Sequence, residues 1–224
     1  MTLPIGPEVD SFPRPLPARE KILGNRVSLE PLQRRHGADL FEAARGADES
    51  FTYMSYGPFS ARPQIDAFIA AHASQAGAAF WAIRPVTIGR AVGWLSLMNI
   101  EPENAAIELG NIWFGPELAR TRAATEAMFL LLRHAADELG YRRLVWKCNA
   151  LNAPSRRAAE RLGFTYEGTL RAHMVVKGRE RDTAMYAITE AEWPARRDAI
   201  LSWLDERNFD SEGNARQGLA SFRP

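Results

Sequence analysis

Residues Phe114 to Ala127, FGPELARTRAATEA, take the chain from an extended apolar run into a long helix. Gly115 and Pro116 end the strand, and the apolar spacing from Thr121 onward is helical. A strand that enters a helix through a tight turn points the helix's first free N–H groups at the space beyond the strand end, which makes the junction an anion site. Arg120 and Arg122 add two permanently charged donors at that positive helix end. The plainer alternative is a loop whose arginines are solvated.

Upstream, AFWAIRP (79–85), RAVGWLSLMNI (90–100) and AAIELGNIWF (105–114) read as three strands with short connections, which favours antiparallel neighbours. In the third, Ile107 and Leu109 share a face but the next large apolar residues are Ile112 and Phe114, so the phase slips by one across Gly110–Asn111. A bulge there would leave backbone groups unpaired just before the anion turn; the alternative is that Trp113 takes the core position without a bulge. Before these strands come a first strand over Arg26–Pro31, a helix over His36–Arg45 and a second helix after Pro63. The link Phe51 to Tyr56, FTYMSY, is too polar for core and lines a groove or packs as a surface loop.

Downstream, Thr121 to Gly140 is a helix with Ala124, Met128, Leu131, Ala135 and Leu139 on one stripe, and Arg143 to Cys148 is the next strand. That strand, crossover helix and strand predict a parallel pair, with ligands at the strands' C-terminal ends. A further helix starts at Asn152, a good N-cap, and ends at Leu162–Gly163, so two helix N-termini can face one cleft. Phe164–Arg171 and Arg181–Ile188 form a last hairpin turning at Lys177–Gly178, and an amphipathic helix covers Glu190–Arg207. Residues 1–25 hold five prolines and read as an extension, disordered or laid over the surface; 26–208 form one domain, and 209–224 a polar tail.

With 224 residues, 46% of them hydrophobic, a sizeable core is affordable. A net charge of +1 gives no field for nucleic acid or an acidic membrane, and no apolar stretch is long enough to cross a bilayer. The lone Cys148 excludes an internal disulfide, four scattered histidines at no ligand spacing point away from a metal, and the chain reads as cytoplasmic.

The order of elements, with ARTRAATEA on a helix, RRLVWKC, and N-A-P-S (152–155) followed by LGF (162–164) and Glu167–Gly168, resembles the GNAT N-acetyltransferases. Within them it resembles the branch of ribosomal-protein N-terminal (RimJ/RimL-like) acetyltransferases. The resemblance implies a three-layer mixed α+β fold with a mostly antiparallel sheet of about seven strands, splayed by a bulge and flanked by helices. It implies acetyl-CoA as co-substrate, no metal, an amine acceptor such as a protein N-terminus or a small molecule, direct attack in a ternary complex, and a possible homodimer. Pantetheine would pair with the strand at Ile112, Trp113 and Phe114, with an N–H of Ile112 or Trp113 as oxyanion donor. The pyrophosphate would sit on Arg120, Thr121, Arg122, Ala123, Ala124 and Thr125. This loop departs from the family's Q/R-x-x-G-x-G/A pattern: neither possible register supplies a glycine.

Asn152 would cap its helix and touch pantetheine. Glu108 matches the position of an acid that takes the amine proton, its alternative being a structural carboxylate. Ser155 matches a serine that protonates the thiolate, its alternative being to satisfy the first turn of its helix. Cys148 as a covalent nucleophile lacks a partner histidine, and His173, Tyr166 and Tyr186 are secondary acid–base candidates. The competing function is a non-catalytic acyl-CoA-binding module with a degenerate loop.

Overall fold

Alternating apolar residues set the strands that build the sheet. In the computed structural model, which describes residues 3–9 and 13–223, β1 (Ile22–Leu23), β2 (Val27–Pro31), β3 (Ala78–Pro85), β4 (Gly93–Glu101) and β5 (Ala106–Phe114) are successive antiparallel neighbours. The remaining residues of the expected extension and tail lie outside the described residues. β6 (Arg143–Asn149) then joins parallel to β5, and the hairpin of β7 (Thr165–Val176) and β8 (Arg179–Thr189) completes the order β1-β2-β3-β4-β5-β6-β8-β7. The described residues thus hold eight strands, one beyond the expected seven. The extra one is β1, too short to show an alternation inside a proline-rich stretch.

Helices α1 (Gly37–Ala44) and α2 (Arg62–Ala73) precede β3, α3 (Arg122–Arg133) makes the crossover between β5 and β6, and α4 (Ala153–Leu162) and α5 (Trp193–Leu204) follow. The fold is the expected mixed α+β arrangement. α3 is shorter than the stripe predicts: after Arg133 the chain continues as a π-helical turn over His134–Glu138, in which Ala135 stays fully buried, before Gly140 turns at positive φ.

The segment at 51–56 corrects an expectation. Phe51 is fully buried, because a single 3₁₀ turn over Asp48–Phe51 swings its ring inward to stack on Trp113 at 5.1 Å. Trp113 in turn stacks on Trp94 across the strand pair at 4.4 Å, and Trp94 meets Phe68 of α2 at 4.9 Å. An aromatic ladder therefore joins the early helices to β4 and β5. The extension lies over the domain, held by Trp81 Nε1 donating to Glu20 O (2.8 Å) and Tyr141 OH donating to Pro15 O (3.1 Å). The stretch that reads as a polar tail is anchored too, by buried Leu219 and by Phe209 against Trp203. Its apolar residues are spaced too widely to form a periodic signal.

A buried polar pair joining β2 to the turn before α1 sets a pH dependence. His36 Nδ1 accepts from Gln33 N–H (3.1 Å), so Nε2–H donates to Glu30 Oε2 (3.2 Å), the neutral form that burial also favours by pushing His36 below its ordinary 6.5. Burial alone would raise Glu30, but hydrogen bonds from His36 and Lys21 outweigh it and hold the carboxyl below its ordinary 4.5. In both cases the unfolded chain takes up the proton first as pH falls, so stability drops on acidification from about pH 6.5 downward. The melting temperature is expected to fall between pH 7.5 and 5.5, and His36→Gln to flatten that slope. Melts of equal slope in the two proteins would contradict this.

Candidate active site

The slip at Gly110–Asn111 is a bulge. Ser96 of β4 pairs with Gly110 and Trp94 with Trp113, so Leu95 alone faces Asn111 and Ile112, and Asn111 sits at φ +50°. The extra residue brings Leu109, Ile112 and Phe114 to one wall of a cleft, while Trp113 is buried in the aromatic ladder. The bulge reading holds and the bulge-free alternative does not, although Trp113 is core, as that alternative also had it. Ser96 Oγ donates to Gly110 O (3.1 Å) and Tyr56 OH to Asn111 O (3.4 Å), pinning the bulge from the helical side.

The bulge coincides with a parting of the sheet. β5 pairs with β6 only where Ala106–Glu108 meet Arg143–Val145. Beyond Glu108 the strands diverge around a cavity of about 320 Å³. Its β5 wall runs from Leu109 to Phe114 without Trp113, and its β6 wall from Trp146 to Asn149. The start of α4 closes one side, and the loop around Ser50, Tyr53, Met54 and Ser55 another, as the groove reading of that loop expects.

The α4 start is built by its cap. Asn152 Oδ1 accepts from Ser155 N–H (3.1 Å), and Pro154 lies in the first turn. The Ser155 Oγ accepts from Trp146 Nε1 (3.1 Å), and its hydroxyl proton has the Cys148 sulfur as neighbouring acceptor. Cys148 is buried in the β6 wall, and burial pushes its thiol up, which keeps it a neutral wall residue. Glu108 is buried outside the cleft walls, with Oε2 accepting from Asn99 Nδ2 (2.7 Å) and facing Lys147 Nζ at 3.1 Å. Its carboxylate is thus held between Asn99 and Lys147, and Lys147 is the member of the pair that lines the cleft. His173 bonds Thr183 and Tyr186 is engaged by Arg156 and Glu160; with Tyr166, none of these lines the cleft.

The start of α3 departs further from expectation. None of Arg120 to Thr125 lines the cavity. Thr121 Oγ1 accepts from Ala124 N–H (3.1 Å), which commits that amide, while Arg122 and Ala123 keep first-turn amides with no intrahelical acceptor. Arg122 is turned to the C-terminal segment: Nη1 pairs with Glu206 at 3.0 Å, Nη2 donates to Leu204 O, and the guanidinium lies 3.8 Å from the Phe209 ring centre. Its side chain is therefore not aimed at the cleft. The partners lie more than eighty residues away in the chain, so local reading could not find them. Arg120, exposed, adopts φ +65°, the conformation a glycine would supply in this turn, at about 1–2 kcal/mol of strain. Gly115 is needed for another reason: a Cβ there would come within 2.8 Å of Val92 O, to which its N–H donates. Thr125 is buried and accepts from Arg161 Nη2.

Three participants were invisible to sequence reading. Trp146 orients Ser155, Lys147 neutralises Glu108, and Arg181 of β8 lines the cleft. Trp146 and Lys147 lie in the RRLVWKC stretch, but the partners of Lys147 and the place of Arg181 are set only by strand pairing.

Comparison with known proteins places this geometry. A profile of the Acetyltransferase (GNAT) domain matches residues 26–165. YdaF of Bacillus subtilis (strain 168), named provisionally as a ribosomal N-acetyltransferase, is 31% identical over 105 residues, 47% of this chain and 57% of that protein. The ribosomal-protein-serine acetyltransferase of Escherichia coli (strain K12) is 31% identical over 96 residues, 43% of this chain and 53% of that protein. The chain thus spans little more than half the length of these two relatives. The crystal structure of a GCN5-related N-acetyltransferase from Brucella melitensis superimposes with a TM-score of 0.93 at 42% identity, covering 96% of this chain and 98% of that one. With a splayed β5–β6 cleft, a matching domain profile and a near full-length structural counterpart, the chain belongs to the GNAT N-acetyltransferase family.

Proposed function

We propose that the chain transfers the acetyl group of acetyl-CoA to a primary amine by direct attack in a ternary complex. The observation that carries this reading is the parting of β5 from β6 beyond Glu108, which leaves a strand edge open along a cleft ending at the capped start of α4. An open strand edge suits a ligand with amide groups of its own, because it offers alternating donors and acceptors that have no strand partner. When bound, acetyl-CoA supplies the thioester and the leaving thiolate.

The residues of the chain then have distinct tasks. The bulge amide at Ile112 or Trp113 donates to the thioester carbonyl oxygen. Asn152, whose Oδ1 is committed to Ser155 N–H, donates into the cleft from its side-chain N–H groups. Ser155 holds a proton for the departing sulfur. Glu108, one residue before the open part of β5, takes the amine proton through water. The free amides of Arg122 and Ala123, with the Arg120 side chain, bind the pyrophosphate at the outer end of β5. The ribosomal-protein names of its relatives make a protein N-terminal amine the first acceptor to test.

A second reading, an acyl-CoA-binding module without turnover, is favoured by one observation: Arg122 is committed to Glu206 and the Ala124 amide to Thr121. Calorimetric titration with acetyl-CoA followed by thiol-release assays over an amine panel separates the two. Binding with acceptor-dependent thiol release is the expected outcome. Binding without release on any acceptor would favour the module, and failure to bind CoA would sink both.

A further inference from the structure

Arg181 stands apart from the other arginines of the fold. It lies on β8, paired across the hairpin with Met174, and lines the cleft. Its Nε is buried without a hydrogen-bond partner. Arg26, Arg90 and Arg122 also have one buried unpartnered nitrogen, but each places another on a carboxylate, Glu206 or Glu117. Arg181 has no such carboxylate among the described residues.

The neighbourhood accentuates this. No carboxylate among the described residues lines the cleft, and its other cation, Lys147, is neutralised by Glu108 at 3.1 Å. The adjacent acid, Asp182, accepts the Ala172 amide (2.7 Å). Cys148, raised by burial, is a neutral thiol and supplies no counter-charge. A guanidinium remains charged at any physiological pH, so the cleft carries an uncompensated positive charge in a partly desolvated place.

The wall that carries Arg181 is also held in place. Lys177 Nζ, at the turn of the hairpin, donates to Phe51 O (2.9 Å), tying the hairpin to the loop of Ser50 and Tyr53 on the far side of the cleft. Ala150 N–H donates to Asp182 O (2.9 Å), joining the end of β6 to the residue after Arg181. Arg181 is thus preorganised on the hairpin wall, whereas the proposed phosphate groups lie on the turn into α3.

We propose that Arg181 selects the acceptor: the amine substrate carries an anionic group, a carboxylate or a phosphate, which the Arg181 guanidinium binds as the amine enters the cleft. This rests on the acetyl-transfer reading. A forked guanidinium satisfies a carboxylate or phosphate with two parallel hydrogen bonds, which would complete the donors now unpaired.

The test uses the full chain and matched amines: glycylglycine against glycylglycine amide for the carboxylate, and phosphoethanolamine against ethanolamine for the phosphate. Acceptor-dependent thiol release is measured with acetyl-CoA, and binding of the same amines to the CoA-loaded protein by calorimetry. In at least one pair the charged member is expected to be preferred by roughly tenfold or more. Arg181→Gln should lower its kcat/KM and affinity by roughly ten- to a hundredfold and remove the preference, while the KM for acetyl-CoA changes less than about threefold. Arg181→Lys should restore part of the preference, which a merely structural role would not produce.

Equal use of charged and neutral amines in both pairs overturns the inference and leaves acetyl transfer standing. So does an Arg181→Gln protein that loses acetyl-CoA as strongly as it loses the acceptor, because Arg181 would then be a cofactor contact. Preferential, Arg181-dependent binding of the charged amines without thiol release supports the anion site and overturns acetyl transfer. If no amine of either pair binds, the inference fails.

Discussion

Ser155→Ala is expected to lower kcat by about a hundredfold or more, with the KM for acetyl-CoA changed by less than about threefold. The reason is the direction of one hydrogen bond. Trp146 Nε1 donates to Ser155 Oγ at 3.1 Å, which fills an acceptor site on the hydroxyl and turns its proton toward the Cys148 sulfur, a weak acceptor on the cleft wall. A departing thiolate without a proton source is a poor leaving group, and positioned proton donors are worth about 10²–10⁴ in rate. The substitution also orphans the buried Trp146 N–H, at about 1–3 kcal/mol of stability, so a loss of rate could be confused with a loss of fold. Trp146→Phe resolves this, since it removes the same hydrogen bond but keeps the hydroxyl. It should melt lower than the parent but lose clearly less of kcat than Ser155→Ala, because the hydroxyl is kept and only its orientation is lost. Steady-state kinetics beside thermal melts check both proteins; Ser155→Ala with kcat within threefold of the parent would remove Ser155 from the mechanism.

Trp113→Ala is expected to destabilise the fold by about 3–5 kcal/mol, a fall in melting temperature of roughly 6–20 °C. Trp113 is fully buried, stacks on Trp94 at 4.4 Å and on Phe51 at 5.1 Å, and donates from Nε1 to Ser50 Oγ at 2.9 Å. Its removal opens a cavity in the middle of the ladder and takes away two ring contacts of about 0.5–1.5 kcal/mol each. Ser50 lines the cleft and loses one of its two hydrogen bonds, keeping its donation to Ala47 O, so acceptor KM should rise modestly along with the stability loss. Trp113→Phe keeps a ring but not the N–H, and is expected to fall between the two. Denaturant unfolding of the three proteins measures this. A cost below about 1 kcal/mol for the alanine variant would mean that the ladder does not hold this part of the core.

Ser155 faces the cleft from α4 and Trp113 the aromatic layer from β5, and one bulge in β5 serves both the cleft and stability. The extra residue at Asn111 lets β5 point Trp113 into the aromatic layer and Leu109, Ile112 and Phe114 into the cleft within six residues. A regular strand would put Ile112 and Leu109 on opposite faces.

Much of this was legible from residues alone because the deciding signals are local. The phase slip over Gly110–Asn111 is a two-residue periodicity broken once, and a strand cannot reset its phase without a bulge. Asn152 and Gly163 bracket α4 as cap and left-handed stop, and both act within one turn of their own positions. The parallel β5–α3–β6 unit follows from chain order and crossover handedness. Tertiary structure decided what those local elements face. Arg122 reads as a phosphate ligand by its place at a helix start, yet Glu206, Leu204 and Phe209 reach it from the far end of the chain. Glu108 reads as a base or a structural carboxylate, and only strand pairing shows Lys147 set beside it, just as Arg181 enters the cleft only because β8 pairs with β6. Periodicity and capping are properties of a few adjacent residues, whereas the charge partner of a side chain is set by which strands meet, and that is a property of the whole fold.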